Sequence, residues 1–228
     1  METKTKQTQE LFTIVIPIYD GVDLMDIAAP REIFSWLAFD KSFHRDITIL
    51  FVGEHEGTFT TNNGLKIAIE ATFKDDIALN PNLIWVPGGR PETLAEIISD
   101  PKSPYTAFVK KAGSNADWVC SVCEGAILLA NTGLLNGHKI TTHWKFVNCF
   151  GRYPEVTVVK DNLRYLKSGN RVTGGGISSG LDEALYLVKL IAGEASAIKI
   201  QQTMQYYPDP PVKSKIPEAG ACPVKGLA

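Results

Sequence analysis

Cys123 is the residue of this chain best placed for covalent chemistry. It directly follows the apolar residues 118–122 and stands two positions before Gly125 and a run of helix formers. A sharp turn between a strand and a helix is the geometry of a nucleophile elbow, here with cysteine in place of serine. A thiol at that place faces the positive end of the helix dipole, which lowers its pKa and favours the thiolate. The alternative is a buried structural cysteine, and the local pattern does not decide between the two.

Two acidic residues are candidates for proton chemistry beside this thiol. Asp26 lies just ahead of an apolar-periodic segment, where spacing alone favours a helix N-cap. Held near a thiolate and away from water, its carboxyl would instead have a raised pKa and could donate a proton. Glu124 directly follows the cysteine. Pointing inward, its side chain would raise the pKa of the thiol, whereas pointing to solvent it would leave only its backbone N–H at the site.

Glycines follow two of the predicted strands. Gly88 and Gly89 come after the apolar residues 83–86, and one of their N–H groups, together with that of Glu124, could form an oxyanion hole. A plain tight turn is the alternative. The run 174–176 is also glycine and permits positive φ and close approach to a ligand.

The elements that position these residues follow an alternating pattern of strands and helices. The pattern predicts a doubly wound, mainly parallel α/β sheet flanked by helices, with ligands bound beyond the carboxyl ends of the strands. Strands are predicted at residues 11–19, 47–52, 64–69, 83–86, 118–122 and 156–159, with a hairpin formed by 163–166 and 171–173. Helices are predicted from Asp26, from Gly125, and at 92–98, 181–191 and 195–206. Pro30 is tolerable in the helix from Asp26 if it lies in the first turn.

Several motifs resemble one known superfamily. The segment SVCEGAILLANTGLLNGHKITTHW resembles the nucleophile-elbow segment of the DJ-1/PfpI superfamily. PIYDGVDLMDIAAPREIF resembles its first strand and helix, IWVPGG its oxyanion-side turn, and RVTGGGISSGLDEAL its glycine-rich turn and the helix after it. QQTMQYYPDPPV resembles the end of the isonitrile hydratase branch. The motifs run in the family's order from Ile14 to Val212, and they imply a class I glutamine amidotransferase-like fold with a reactive Cys123.

The resemblance also implies site residues and a reaction. Asp26 would reach the thiol as a proton donor, and Gly175 and Ile177 would line the pocket beside it. The implied reaction is addition of water to an isonitrile, giving an N-substituted formamide through a thioimidate on Cys123. It requires neither an organic cofactor nor a metal. The implied partners are a small-molecule substrate and a second copy of the chain in a homodimer.

Residue 124 departs from the family's patterns. Characterised isonitrile hydratases have threonine there and many peptidase-like and glyoxalase-like relatives have histidine, whereas this chain has Glu124. A cysteine–histidine dyad of adjacent residues is therefore impossible, which counts against those two chemistries. Two alternatives to the hydratase stay open: a glyoxalase-like or amidase-like reaction, and a non-catalytic sensor of oxidation or of a ligand.

The histidines offer little further chemistry. His143, in TTHW, occupies a family-like position and could act as a base, but a structural histidine beneath the site is favoured. His44, His55 and His138 have no metal-ligand spacing with the cysteines, and we predict no metal.

The other three cysteines are not predicted to react. Cys120 forms a C-x-x-C motif with Cys123, but it falls inside an apolar strand and is expected in the core rather than in a redox pair. Cys149 and Cys222 show no recognisable function in the sequence.

Length and composition limit the remaining possibilities. With 228 residues, 44% hydrophobic and 21% charged, the chain predicts one globular domain over residues 11–212, a flexible terminus at 1–10 and an irregular tail at 213–228. A net charge of −2 gives no general attraction to nucleic acid or to an anionic membrane. The polar N-terminus carries no apolar leader, so a cytoplasmic location is expected.

Overall fold

The computed structural model describes residues 10–227. Its strands are β1 (Glu10–Pro17), β2 (Arg45–Gly53), β3 (Thr58–Thr60), β4 (Lys66–Ala68), β5 (Ala71–Thr72), β6 (Leu83–Val86), β7 (Trp118–Ser121), β8 (Lys139–Ile140), β9 (Thr157–Val158), β10 (Tyr165–Ser168) and β11 (Arg171–Gly174). Its helices are α1 (Leu24–Leu37), α2 (Asp76–Leu79), α3 (Pro91–Ser99), α4 (Pro104–Asn115), α5 (Gly125–Thr132), α6 (Ser179–Ala192) and α7 (Glu194–Thr203), with a 3₁₀ helix at Trp144–Arg152. Within the described range, the helices are too short or too polar to cross a membrane.

A seven-stranded sheet carries the fold. Its strand order is β10-β11-β7-β6-β1-β2-β5, and every neighbouring pair is parallel except the hairpin β10–β11. Parallel strands deliver their carboxyl ends to one edge, so the segments that follow β1, β6, β7 and β11 meet there. The predicted α/β class with a mainly parallel sheet is confirmed.

Helices cover both faces of the sheet. Helices α1, α6 and α7 pack on one face and α2 to α5 on the other, and the two faces have separate apolar cores. Side chains of β1 alternate between the two cores. Ile14 and Ile16 pack in the core under α1, α6 and α7, and Val15 packs in the core under α2 to α5. In β7, Cys120 lies on the face covered by α1 and α6. The continuous apolar strands of the sequence are therefore explained by burial on both sides.

The structure differs from the predicted helices at α2, at α4, at the 3₁₀ helix and at Pro30. Helix α4 was not predicted, because its mixture of polar and apolar residues forms a weaker pattern than the apolar runs of the neighbouring elements. Pro30 lies in the second turn of α1 and not in the first. Proline there cannot donate to the carbonyl oxygen of Asp26, and the indole N–H of Trp85 donates to that oxygen instead, at 2.9 Å. The neighbouring strand therefore satisfies the acceptor that Pro30 leaves free.

The C-terminal tail is irregular but anchored. Residues 204–227 contain no helix or strand in the described structure. Cys222 forms a disulfide with Cys149 across a sequence separation of 73, and Val224 and Leu227 are buried in the core beneath α3 to α5. The two cysteines without a recognisable function are thus a structural pair, which a single sequence does not reveal because pairing depends on proximity in space. The predicted flexible terminus lies outside the described residues, except for Glu10, which begins β1.

Candidate active site

Cys123 occupies a strained turn between β7 and α5. Its φ of 58° lies in the left-handed region that few residues other than glycine adopt. Two hydrogen bonds fix the backbone: its N–H donates to Gly175 O at 2.8 Å, and Thr142 Oγ1 donates to its carbonyl oxygen at 2.8 Å. Strain of this kind persists only where the surroundings hold it, and it is often found at functional sites. The turn has the geometry of the predicted nucleophile elbow.

Gly125 allows α5 to start directly against the neighbouring strand. A Cβ added at this position would overlap the carbonyl oxygen of Val86 and approach backbone atoms of Pro87. Glycine is therefore required for close approach and not for a left-handed conformation. The approach brings the start of α5 beside the turn that follows β6, where Gly88 and Gly89 lie.

Glu124 points inward. The residue is only 3% exposed, its Oε1 accepts the N–H of Gly89 at 2.9 Å, and Oε2 has no hydrogen-bond partner among the described residues. One carboxyl oxygen lies within 4.8 Å of the Cys123 sulfur. Burial raises the pKa of Glu124 to about 7. Of the two orientations considered for this side chain, the structure has the inward one. Near neutral pH the carboxyl can therefore both accept and return a proton.

Asp26 is fully buried and lies in the first turn of α1. Its Oδ2 accepts the N–H of Gly88 at 2.8 Å, while Oδ1 has no hydrogen-bond partner among residues 10–227. Burial, and then the charges of Glu124 and Asp23, raise the pKa of Asp26 well above its ordinary value. The N-cap alternative is wrong, because Asp23 occupies the cap position. The surroundings of Asp26 thus favour the neutral form of its carboxyl, which a proton donor requires.

The Cys123 thiol is also held in its neutral form. Burial, followed by the charges of Asp26 and Glu124, raises the pKa of Cys123 well above its ordinary value. The prediction that the helix dipole lowers this pKa is wrong. The dipole contributes a fraction of a unit charge at a helix end, and here desolvation and three nearby carboxyl groups oppose ionisation. Reaction at Cys123 therefore requires that a base remove the proton as the sulfur attacks.

The glycine N–H groups of the proposed oxyanion hole are engaged. Gly88 donates to Asp26 and Gly89 donates to Glu124, so neither N–H is directed at open space in this structure. The two donors hold the carboxyl groups in place around the sulfur. An oxyanion would have to displace a carboxyl oxygen before it could use either N–H.

A cavity of about 390 Å³ opens beside the elbow. Among the predicted site residues, Gly175, Ile177 and His143 line it. His143 Nδ1 accepts the N–H of Lys145 at 3.2 Å and so caps the 3₁₀ helix. Burial lowers the pKa of His143, and its ring packs against Gly176. The geometry therefore supports the structural reading of this histidine.

Asp23 is a site residue that the sequence analysis missed. Its carboxyl oxygen, the Cys123 sulfur and a Glu124 oxygen lie within 4.8 Å of one another, and Asn62 Nδ2 donates to Asp23 at 3.0 Å. The D-x-x-D spacing of Asp23 and Asp26, one helical turn apart, was the available signal. Three such donors would match the protein ligands of a catalytic zinc site, but a thiol and a carboxyl must be ionised to bind a metal, and the raised pKa values of Cys123 and Glu124 oppose this. We interpret the cluster as a site that handles protons.

Cys120 and Glu183 lie behind the site and not in it. The Cys120 thiol is free and fully buried, as predicted for a core residue, and burial raises its pKa. Glu183 of α6 is fully buried, and neither carboxyl oxygen has a hydrogen-bond partner in the described part of the chain. Burial, and then the charge of Asp26, raise the pKa of Glu183 well above its ordinary value. The sequence did not indicate that this carboxyl is buried. The residues around Glu183 form an ordinary amphipathic helix, in which a glutamate is expected on the exposed face.

A mainly parallel α/β sheet with a cysteine at a strained elbow, surrounded by carboxyl groups at its carboxyl edge, defines the class of this protein. The chain belongs to the DJ-1/PfpI family, which its residues 12–191 match. The superfamily resemblance inferred from the motifs is thereby confirmed.

Similar proteins differ in function. Isonitrile hydratase of Pseudomonas putida is 29% identical over 201 residues, which are 88% of this chain and 81% of that protein. A crystal structure of a ThiJ/PfpI family protein from Pseudomonas syringae has a TM-score of 0.78 at 26% identity and covers 93% of this chain and 84% of that one. The HTH-type transcriptional regulator CdhR of Pseudomonas aeruginosa is 21% identical, over 86% of this chain and 54% of the regulator. Membership of the family therefore does not define one reaction.

Proposed function

We propose that this chain is an isonitrile hydratase-like enzyme that adds water to an isonitrile through a covalent bond to Cys123. The observation that carries the proposal is the pairing of two differently suited carboxyl groups around one thiol. Asp26 is fully buried and its pKa is raised, while Glu124 has a pKa of about 7 and a carboxyl oxygen within 4.8 Å of the Cys123 sulfur. A protonated carboxyl and an ionised one beside the same thiol can act as acid and base in one step.

The first step joins the sulfur to the terminal carbon of the isonitrile. Glu124 takes the thiol proton while the sulfur attacks, and Asp26 gives its proton to the same carbon. The product is a thioimidate, R–N=CH–S–Cys123, with Glu124 protonated and Asp26 ionised. Concerted proton removal suits this site because its surroundings disfavour a free thiolate.

The second step consumes water and restores the enzyme. The ionised Asp26 accepts a proton from water as its oxygen attacks the thioimidate carbon, and the nitrogen receives the proton held by Glu124. Collapse of the resulting R–NH–CH(OH)–S–Cys123 breaks the carbon–sulfur bond and releases the formamide R–NH–CHO. The hydroxyl proton returns to the sulfur, so the net reaction is R–NC plus H₂O to R–NH–CHO, with no change in oxidation state and no cofactor.

The burial of the thiol favours this proposal over an oxidation sensor. Sensor cysteines react with peroxide as exposed thiolates of low pKa. Cys123 is 1% exposed, and its pKa is raised. We accordingly expect slow formation of sulfinic acid at Cys123 under mild peroxide, measured by mass spectrometry of the peptide that contains it. The homodimer expected from the family is a separate part of the proposal and is tested by light scattering of the purified protein.

Formamide production by matched variants tests the proposed reaction. Cys123→Ala should abolish it, whereas Cys120→Ala, which removes a buried thiol outside the site, should leave it close to wild type. Asp26→Asn keeps an oxygen to accept the Gly88 N–H but cannot protonate carbon, and should lower kcat by about 10²- to 10⁴-fold. Glu124→Gln keeps the acceptor for Gly89 and should lower kcat comparably.

Two results would count against the reaction. Wild-type protein that leaves both aryl and alkyl isonitriles unchanged from pH 5 to 9, with Cys123 intact and alkylatable, rejects isonitriles as substrates. Turnover of methylglyoxal that Cys123→Ser abolishes would instead support the glyoxalase-like alternative.

A further inference from the structure

One residue of the C-terminal tail reaches the cavity beside Cys123. Ile216 lines that cavity together with Met25, Gly175 and Ile177. The same Ile216 also lines a second cavity of about 370 Å³ under the tail. Trp144 and Asn162 border both cavities as well, so Ile216 belongs to the partition between them.

The cavity that Ile216 borders adjoins the residues that hold the elbow. Gly175 and Thr142 line it, and each is hydrogen-bonded to the backbone of Cys123 at 2.8 Å. Met25 stands next to Asp26 in the chain. A group bound in this cavity would therefore contact the residues that hold the backbone of Cys123 and the neighbour of the proposed proton donor, although the sulfur and the Asp26 carboxyl do not themselves line the cavity.

Specific bonds hold the tail in this position. Asn148 Nδ2 donates to the carbonyl oxygens of Ala219 and Gly220, at 3.2 and 2.9 Å. Two residues further along, Cys222 is bonded to Cys149 in the same 3₁₀ helix as Asn148. Before these anchors, residues 207–218 are exposed and form no helix or strand. The anchors nearest to Ile216 are thus the amide of Asn148 and the disulfide.

We propose that Ile216 is a specificity-determining residue of the Cys123 site, and that the Cys149–Cys222 disulfide holds it in the wall of the substrate cavity. Ile216 limits the size of the group that can lie beside the sulfur. With the disulfide reduced, the segment before Cys222 is held less firmly and the cavity accepts larger groups.

The chemistry of the wall indicates which part of a substrate it contacts. Met25, Ile177 and Ile216 present apolar side chains to the cavity, and apolar walls select apolar groups by the surface they remove from water. Resting on the proposed function, this inference assigns the cavity to the substituent R of the isonitrile R–NC. Short alkyl substituents should fit the oxidised protein better than bulky cycloalkyl or aryl ones.

Alkylation of Cys123 tests whether Ile216 forms the wall of the cavity, and it does not rely on any enzymatic reaction. The probes are N-methylmaleimide and the larger N-phenylmaleimide, and the peptide containing Cys123 is quantified by mass spectrometry. Ile216→Ala should raise the rate for the phenyl reagent relative to the methyl reagent by about tenfold, the effect of a few methylene groups in an apolar pocket. Ile198→Ala, which truncates an exposed isoleucine on α7, is the matched control and should leave the ratio unchanged.

The same ratio of alkylation rates, phenyl to methyl reagent, tests whether the disulfide holds Ile216 in place. Cys222→Ser should shift it in the same direction as Ile216→Ala, and circular dichroism should confirm that the variant is folded at the assay temperature. Ile216→Ala retains the disulfide, so loss of folding in Cys222→Ser leaves the test of the wall intact. An unchanged ratio in Ile216→Ala overturns the specificity assignment, and an unchanged ratio in folded Cys222→Ser overturns the function given to the disulfide.

Turnover then separates this inference from the proposed function. If methyl and cyclohexyl isocyanide are both substrates, Ile216→Ala should lower KM for the cyclohexyl compound about tenfold and change kcat little. If neither is a substrate, the proposed function fails while the alkylation ratio still decides whether Ile216 forms the wall.

Discussion

The indole N–H of Trp85 donates to the carbonyl oxygen of Asp26 at 2.9 Å, and this is the oxygen that an ordinary residue at position 30 would have bonded. Pro30 thus leaves an acceptor in the first turn of α1, and a fully buried tryptophan from β6 satisfies it. The bond fixes the residue that carries the buried carboxyl relative to the strand that leads to Gly88. Stability and site geometry are therefore joined at one hydrogen bond.

We expect Trp85→Phe to destabilise the protein by about 1–3 kcal/mol beyond its loss of packing, because it leaves a buried carbonyl oxygen unsatisfied. Urea denaturation followed by circular dichroism measures the effect. Trp36→Phe is the matched control, since its indole N–H donates to Glu32 on the outer side of the same helix. That change should cost less than about 0.5 kcal/mol. If the two substitutions destabilise the protein equally, the Trp85–Asp26 hydrogen bond has no special contribution to stability.

The raised pKa of Glu124 predicts that the rate of the proposed reaction depends on pH near neutrality. The side chain must be ionised to take the thiol proton, and its pKa is raised to about 7. We expect kcat/KM for the proposed substrate to rise as the pH increases through about 7, and to fall at higher pH as Asp26 loses the proton it must donate. Glu124→Gln should lose the rising limb near pH 7 and keep the falling one. A rising limb that persists in Glu124→Gln assigns the titration to another group.

The same carboxyl predicts how stability changes with pH. The folded pKa of Glu124, about 7, exceeds its ordinary value of 4.5, so the folded state binds more protons between these pH values. Its stabilising contribution is complete below pH 4.5 and is lost as the pH rises through 7. From pH 5 to pH 8 the free energy of unfolding should fall further in wild type than in Glu124→Gln, by on the order of 2 kcal/mol. Urea titrations at each pH give the comparison, and parallel curves for the two proteins contradict the assignment.

Removing the carboxyl of Glu183 should stabilise the protein. This group is buried without a hydrogen-bond partner among the described residues, and its raised pKa means that it, too, weakens the fold as the pH rises. Glu183→Met keeps the length of the side chain and removes the polar atoms, with an expected gain of about 1–3 kcal/mol. Glu96→Met, on an exposed position of α3, should change stability by less than about 0.5 kcal/mol. Thermal unfolding that shows Glu183→Met to be less stable than wild type would indicate that its carboxyl has a stabilising partner.

The Cys149–Cys222 disulfide should contribute strongly to global stability. It closes a loop over a sequence separation of 73, and the chain-entropy relation gives roughly 4 kcal/mol for a loop of that length. The double variant with serine at both positions, measured by urea denaturation, should lose most of this stability. Reductant should lower the Tm of wild type and leave that of the double variant unchanged. A reducing environment would break the disulfide, so its redox state bears directly on the tail.

Most strands and helices could be predicted from the sequence because burial requires a local pattern of apolar residues. A strand covered on both faces must be apolar throughout, and this gave β1, β6 and β7 to within a few residues. The elbow was readable for a similar reason, since a helix that starts against a neighbouring strand requires glycine at position 125. Family motifs then added Asp26, which spacing alone had assigned to a cap.

What the sequence determined was the placement of Cys123 at the end of a buried strand, ahead of a helix at the carboxyl edge of a parallel sheet. Only the tertiary structure decided its electrostatics. The inward direction of Glu124, the approach of Asp23, the raised pKa of the thiol and the pairing of Cys149 with Cys222 all depend on contacts between residues distant in the chain. Local pattern records which residues are buried. It does not record which buried groups face one another, and the charge and proton chemistry of this site are set by those facing groups.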